Sequence, residues 1–270
     1  MITISCIIPV RNRRDLVVRA IDSVFKQDIE AIEVVVIDDA STDGTSKEIK
    51  RHFGERVTIQ NTKRPLGPGP ARNLGVSISS GQVLMFLDSD DIWLKGHCRL
   101  LLDTLGNGFD VAYGITENLD EINGNRFFIP EKGTPPSGCT YGSLLRWCFL
   151  VPSAFALRRE TFMKSGGFKP LSPGEDWFFF LELARLAPFG FVKEVITLRH
   201  LHNGSLCRTH FDRKWVEVMV KSLKKASLTA GCRQSQVSRL ENILYLTKKD
   251  GHKWQSVQDW YTNLKRHKLL

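Results

Sequence analysis

Six aspartates stand in two short clusters, Asp38-Asp39-Ala40-Ser41-Thr42-Asp43 and Asp88-Ser89-Asp90-Asp91. Carboxylates gathered at that density repel one another unless a cation or hydrogen-bond donors compensate, which points to a divalent metal. Oxygen ligands alone select Mg²⁺ or Mn²⁺ over zinc. A plainer reading makes Ser41 and Asp43 caps of the following helix and Asp88 the first residue of a turn. It leaves Asp38, Asp39, Asp88, Asp90 and Asp91 together unexplained. Between the clusters, Leu66-Gly67-Pro68-Gly69-Pro70-Ala71-Arg72-Asn73 leads into a helix and is expected to place Arg72 and Asn73 in its first turn. Free backbone N–H groups beside an arginine fork attract phosphate; a surface ion pair is the rival account of Arg72. Gly-Lys-Ser/Thr is missing here and no G-x-G-x-x-G follows the first strand, which argues against a P-loop and a NAD-binding domain.

The elements that must position these residues read as alternating strands and helices. Ile4 to Val10, Glu33 to Ile37, Val57 to Gln60 and Val83 to Leu87 are short apolar runs, as in strands buried on both faces of a parallel sheet. Arg14 to Gln27, Thr45 to Phe53 and Ala71 to Ile78 carry apolar residues at helical spacing, with Asn12 or Asp15 near the start of the first. Such units imply right-handed crossovers and an α/β fold whose ligands lie beyond the carboxyl ends of the strands. Both acidic clusters directly follow strands, at one edge of that sheet. From about Gly114 to Leu150 the alternation gives way to polar turns, read as hairpin and loop.

With 42% apolar and 25% charged residues in a chain of 270, the composition is that of a globular protein and excludes disordered, collagen-like and disulfide-scaffold classes. No apolar run approaches the roughly 20 residues that span a bilayer, and the first residues lack a secretory pattern, so a soluble cytoplasmic protein is expected. Six cysteines without a C-x-x-C pair suggest reduced, structural thiols. The net charge of +9 is concentrated: residues 211–270 hold 13 Lys and Arg against five acids, whereas residues 1–210 are nearly neutral. The expected division is a body, 1–210, and a basic helical extension, 211–270, with helical spacing over 213–229, 235–249 and 254–268.

Four segments in this order resemble a family 2 glycosyltransferase of the GT-A fold: Ile8-Pro9-Val10-Arg11-Asn12, Val35 to Thr45, Ala71-Arg72-Asn73-Leu74-Gly75, and Phe86-Leu87-Asp88-Ser89-Asp90-Asp91. The resemblance continues through Gly166-Gly167-Phe168, Gly174-Glu175-Asp176-Trp177, Arg199 and His202-Asn203-Gly204-Ser205. It implies a mixed, mostly parallel sheet flanked by helices, and inverting transfer from a nucleotide sugar with a UDP-sugar expected. Pro9, Arg11 and Asp39 are the implied base contacts, and Asp88 would bind the ribose or a metal-bound water. Asp90 and His202 are the implied metal ligands, with Arg72 on the donor, and Asp176 is the implied catalytic base. A helix-dipole role is the alternative for the Glu175-Asp176 pair, and a hydrogen-bonded loop residue is the alternative for His202. Phe178, Phe179 and Phe180 are expected to build core, while Trp93, Trp147 and Trp177 could either do so or stack on sugar.

The implied acceptor is a glycan or lipid-linked glycan of the cell envelope. Two readings of the basic extension stay open: helices packed on the body, or an anionic-membrane contact at the inner face. No recognition motif supports nucleic-acid binding. A non-catalytic sugar-nucleotide or glycan-binding scaffold is the rival for the body. A nucleotidyltransferase would need a glycine-rich loop after the first strand, where this chain has Pro9-Val10-Arg11-Asn12-Arg13-Arg14.

Overall fold

The computed structural model describes residues 3–131, 137–144, 148–170 and 174–202, and isolated helical positions beyond. In chain order the elements are β1 (Ile4–Val10), α1 (Arg14–Phe25), β2 (Ile32–Asp38), α2 (Thr45–Phe53), β3 (Val57–Asn61), α3 (Pro68–Ile78), β4 (Val83–Phe86), β5 (Asp91–Trp93), α4 (His97–Gly106), β6 (Val111–Asp120), β7 (Arg126–Ile129), α5 (Tyr141–Leu144), β8 (Phe155–Arg158), α6 (Arg159–Ser165), α7 (Glu175–Leu186) and β9 (Phe189–Leu201). The chain divides into two compact units, one of residues 1–140 and 149–200 and the other of residues 141–148 and 201–270. Among the described residues no helix is long and apolar enough to cross a membrane.

The sheet runs β3-β2-β1-β4-β8-β6-β9-β5, with β7 beside β6. The first four of these strands are parallel, in the register Ile4 opposite Ile32 and Ile4 opposite Val83. The β8, β6 and β7 pairings are antiparallel, as is β5 with β9. The hairpin expected after Gly114 is β6–β7. Every residue of β1 is buried, because helices cover both faces. Ile4, Cys6, Ile8 and Val10 pack with Val17, Ala20, Ile21 and Val24 of α1 and Ile49 and Phe53 of α2. On the opposite face Val35 and Ile37 meet Ala71 and Leu74 of α3. A ring cluster extends that face: Phe86, Phe155, Phe162, Phe168, Phe179 and Phe180 lie within 4.0–6.2 Å of one another in successive pairs.

Two helix boundaries differ from expectation by more than one residue. Helix α1 stops at Phe25, since the Gln27 amide folds back onto the carbonyls of Ser23 and Leu94. Helix α3 starts at Pro68, three residues before the expected Ala71, because Pro68 and Pro70 can occupy a first helical turn where no N–H partner is required. Arg72 therefore sits in the second turn of α3, not the first.

Candidate active site

The carboxyl edge of the parallel strands is built by three loops. Pro9 is tolerated in a central strand because β4 pairs with β1 only as far as Ile7, so no ladder donor is missed at that position. Beyond it Arg11 is exposed, and Asn12 adopts a left-handed φ of 52°. Its side-chain oxygen accepts from the Thr42 N–H at 2.8 Å while its own N–H donates to Ser41 Oγ at 2.9 Å, tying the β1–α1 loop to the β2–α2 loop. Asp43 accepts from the Arg14 N–H at 3.2 Å and from the Thr45 N–H at 3.0 Å. Ser41 thus fastens two loops and does not cap α2, against the plainer reading, while Asp43 both fastens the loops and accepts from the first N–H of α2, whose cap position is Gly44.

Asp38 and Asp39 are both buried. Asp38 accepts from the Ser41 N–H at 3.0 Å and from the Ser46 hydroxyl. Asp39 accepts from the Thr62 hydroxyl at 3.0 Å and from the N–H groups of Leu66 and Gly67 at 2.8 and 2.9 Å. It organises the segment that leads into α3, a role no local pattern in the sequence announces.

The second acidic cluster is a turn in which the Asp91 N–H donates to the Asp88 carbonyl. Ser153, 62 residues downstream of Asp91, holds it: its hydroxyl donates to Asp91 Oδ2 and accepts from the Asp88 N–H at 3.0 Å. Burial, together with the charges of Asp90 and Asp88, pushes Asp91 well above the carboxylate range. Asp90 stays partly exposed at the rim, 3.9 Å from the Arg13 guanidinium. Trp93 is 3% exposed and stacks on His97 at 4.2 Å, which makes it core.

Arg72 is 3% exposed, and its fork is committed to two carboxylates: Nη2 to Asp88 Oδ1 at 2.6 Å and Nη1 to Glu175 Oε1 at 2.9 Å. Its neighbour Asn73 clamps the backbone of Phe168, donating to the carbonyl at 2.8 Å and accepting from the N–H at 2.9 Å. The Arg72 guanidinium lies 5.2 Å over the Phe168 ring. Gly69 lets the entry to α3 approach α7, since a Cβ there would stand 2.9 Å from the Lys169 carbonyl and 3.0 Å from Glu175 Cγ. Helix α7 opens on Glu175, which is buried, and Asp176, which is half-buried and accepts from the Trp177 N–H at 2.7 Å. Burial raises the Glu175 carboxyl to about 7, with the Asp176 charge adding to the rise and Arg72 opposing it. Burial also raises Asp176, and Arg72 is the main influence drawing it back. Phe179 and Phe180 are core, as expected.

The structure thus joins Asp88, Arg72, Glu175 and Asp176 at one edge, with Asp90 on the same turn as Asp88. Pro9 is the second-last residue of β1, and Arg11 and Asp39 lie on the loops that follow β1 and β2. His202 is half-buried and belongs to the second unit; Trp147 and Asn203 to Ser205 lie outside the described residues. Sequence reasoning missed Ser153 and the clamping role of Asn73, whose partners are 62 and 95 residues away.

The donor set can be weighed against a divalent cation. Among the described residues, no three His, Cys, Asp or Glu side chains converge into a closed cage. Asp91 is turned to Ser153 and Asp88 to Arg72, leaving Asp90 at the rim. Mg²⁺ sites commonly use one or two carboxylates and fill the other positions with phosphate oxygens and water. The residues present fit that class of site.

Residues 5–165 match the family described as Glycosyl transferase family 2. The chain is 26% identical over 243 residues to the glycosyltransferase GlyG of Streptococcus pneumoniae, which covers 82% of this chain and 78% of that protein. It is 30% identical over 183 residues to the UDP-Glc:alpha-D-GlcNAc-diphosphoundecaprenol beta-1,3-glucosyltransferase WfgD of Escherichia coli, covering 67% and 70%. In fold it is similar to S. aureus TarS 1–349 in complex with UDP-GlcNAc, with a TM-score of 0.71 at 19% identity over 91% of this chain and 72% of that one. With the family match over more than half of the chain and the mixed, mostly parallel sheet flanked by helices agreeing with it, the chain belongs to glycosyl transferase family 2 and has the GT-A fold.

Proposed function

We propose that this glycosyltransferase is inverting and metal-dependent, and that it moves a sugar from a UDP-sugar to a glycan or lipid-linked glycan of the cell envelope. One observation carries the reading: a single buried arginine contacts both Asp88 and Glu175, so the donor turn and the helix start bearing Asp176 form one site. Relatives support the donor and acceptor classes. The E. coli proteins WfgD and WfaP are named as UDP-glucose-dependent enzymes acting on a diphosphoundecaprenol-linked sugar, and a Bacillus spizizenii relative is named poly(ribitol-phosphate) beta-glucosyltransferase.

In this reading Pro9, Arg11 and Asp39 line the nucleotide base, Asp39 doing so from a carboxylate already fixed by Leu66 and Gly67. Asp88 takes the ribose or a metal-bound water. Asp90 would hold Mg²⁺ or Mn²⁺, whose charge would stabilise the departing nucleoside diphosphate. A mannosyltransferase from Pyrobaculum calidifontis, similar in fold with a TM-score of 0.60, was solved in complex with GDP-Man and Mn²⁺. Asp176 accepts the proton of the acceptor hydroxyl as its oxygen attacks the anomeric carbon opposite the leaving group, which inverts that carbon in one step. Residues 1–210 make up the catalytic portion; the basic residues 211–270 contact an anionic inner leaflet, where a lipid-linked acceptor is presented.

The test is transfer from UDP-glucose to a short polyprenyl-diphosphate-linked N-acetylglucosamine with Mn²⁺, with the product anomer read by NMR. The expected product is the β-linked disaccharide from the α-linked donor. An α-linked product would exclude the single-step mechanism.

A further inference from the structure

Resting on the reading of Asp88 as a donor residue and Asp176 as the base, we infer that Arg72 and Glu175 are positioning residues: the Asp88–Arg72–Glu175 bridge, buried at Arg72 and Glu175, locks the donor turn to the start of α7 and keeps the base aimed. An arginine in this motif next to a helix start would ordinarily be assigned to donor phosphate. Here the geometry assigns it elsewhere. The fork is 3% exposed, sits in the second turn of α3 and spends Nη1 and Nη2 on carboxylates from two other elements, 103 and 16 residues away.

The bridge is braced on every side. Gly69 admits the Glu175 side chain against α3, Asn73 pins the Phe168 backbone beneath it, and Phe168 lies under the guanidinium. Glu175 is only 6% exposed, so its carboxyl is an anchor rather than a group available to substrate. The charged groups facing Asp176 are Arg72 from α3, Asp88 beyond β4 and Arg199 from β9, besides Glu175 on its own helix. Of these, Arg72 is the cation with the largest pull on Asp176. Opposite charge nearby favours the carboxylate and like charge disfavours it. Removing Arg72 must therefore make the base harder to ionise, whereas Glu175, held up to about 7 by burial and by the Asp176 charge, is already neutral where Asp176 titrates, so its replacement by Gln leaves that limb in place. A bridge that only holds the fold together predicts no such selective shift.

The experiment is the pH profile of kcat for the full chain with UDP-glucose and Mn²⁺, read as UDP release, in wild type, Arg72→Met, Arg72→Lys and Glu175→Gln, with UDP affinity measured alongside by calorimetry. Arg72→Met is expected to move the acidic limb up by roughly one to three pH units and to lower kcat at pH 7 at least tenfold. Arg72→Lys restores the limb, and Glu175→Gln, which keeps an acceptor for Arg72, leaves it in place. An Arg72→Met limb that stays put, or a Glu175→Gln limb that moves up with it, overturns the proposal. So does an Arg72→Lys variant that loses UDP affinity more than tenfold while its limb is unchanged, which would make Arg72 a phosphate ligand. Complete loss of turnover in Glu175→Gln with Asp176→Asn still active would exchange their roles and overturn it as well.

A folded wild-type chain that turns over no UDP-glucose would count against the proposed function, not this bridge. The bridge then stands or falls on a double-mutant cycle of Arg72→Met and Glu175→Gln in urea unfolding. Non-additive losses are expected, and additive ones exclude it.

Discussion

The proposed function gives Asp176 a demanding task for a carboxylate: it must be basic enough to take a hydroxyl proton and yet ionised at neutral pH. Burial supplies the first condition and the Arg72 cation the second. Replacing Asp176 by Asn keeps the shape and removes the base, so transfer should fall by about 10²–10⁴-fold while UDP affinity stays within threefold of wild type; an assay of UDP release beside calorimetry reads both. Glu175 gives a second prediction at this scale. Its folded-state value of about 7 lies above that of an ordinary carboxylate, so its contribution to stability is complete in acid and is lost as pH rises toward and through 7. The melting temperature of Glu175→Gln, which cannot ionise, should therefore gain on wild type between pH 5 and pH 8. A constant difference across that range would contradict the raised value.

At the scale of elements, α3 is the hub: it meets the sheet through Gly75, the donor turn through Arg72 and the loop before α7 through Asn73. A Cβ at Gly75 would lie 2.4 Å from Ile7 Cγ2, so Gly75→Ala must push α3 off β1. The expected cost is about 1–3 kcal/mol, seen as a lower urea midpoint, with kcat falling because Arg72 moves with the helix. Much of this layer was legible in advance. The continuous apolar runs of β1, β2 and β4 and the helical spacing of α1 and α2 follow from burial on two faces or one, and they put both acidic clusters at the correct edge. The early start of α3 was missed because the Gly-Pro-Gly-Pro run was taken as loop, whereas proline is well suited to a first helical turn. The partners of Arg72, Asn73, Asp39 and Asp91 were not legible, since each comes from a distant segment and no local periodicity encodes such a meeting.

At the scale of the whole molecule, residues 1–210 are nearly neutral and residues 211–270 basic, and the proposed function assigns chemistry to the first and membrane contact to the second. Vesicles containing about one-third phosphatidylglycerol should bind the full chain at 50 mM salt and release it near 0.5 M, as screening of exposed charges requires. Binding indifferent to salt would remove the electrostatic account of the extension. The proposed chemistry depends on a nucleotide sugar held with a cation at the Asp88–Asp91 turn. The most direct measurement is calorimetric titration of the full chain with UDP-glucose, UDP-N-acetylglucosamine and GDP-mannose, each with Mn²⁺ and again with EDTA, in wild type and Asp90→Ala. The account predicts that a UDP-sugar binds the wild type with Mn²⁺ and that EDTA or Asp90→Ala weakens that binding at least tenfold. A folded wild-type chain that binds none of the three, or binds one equally well in EDTA and in Asp90→Ala, would contradict it.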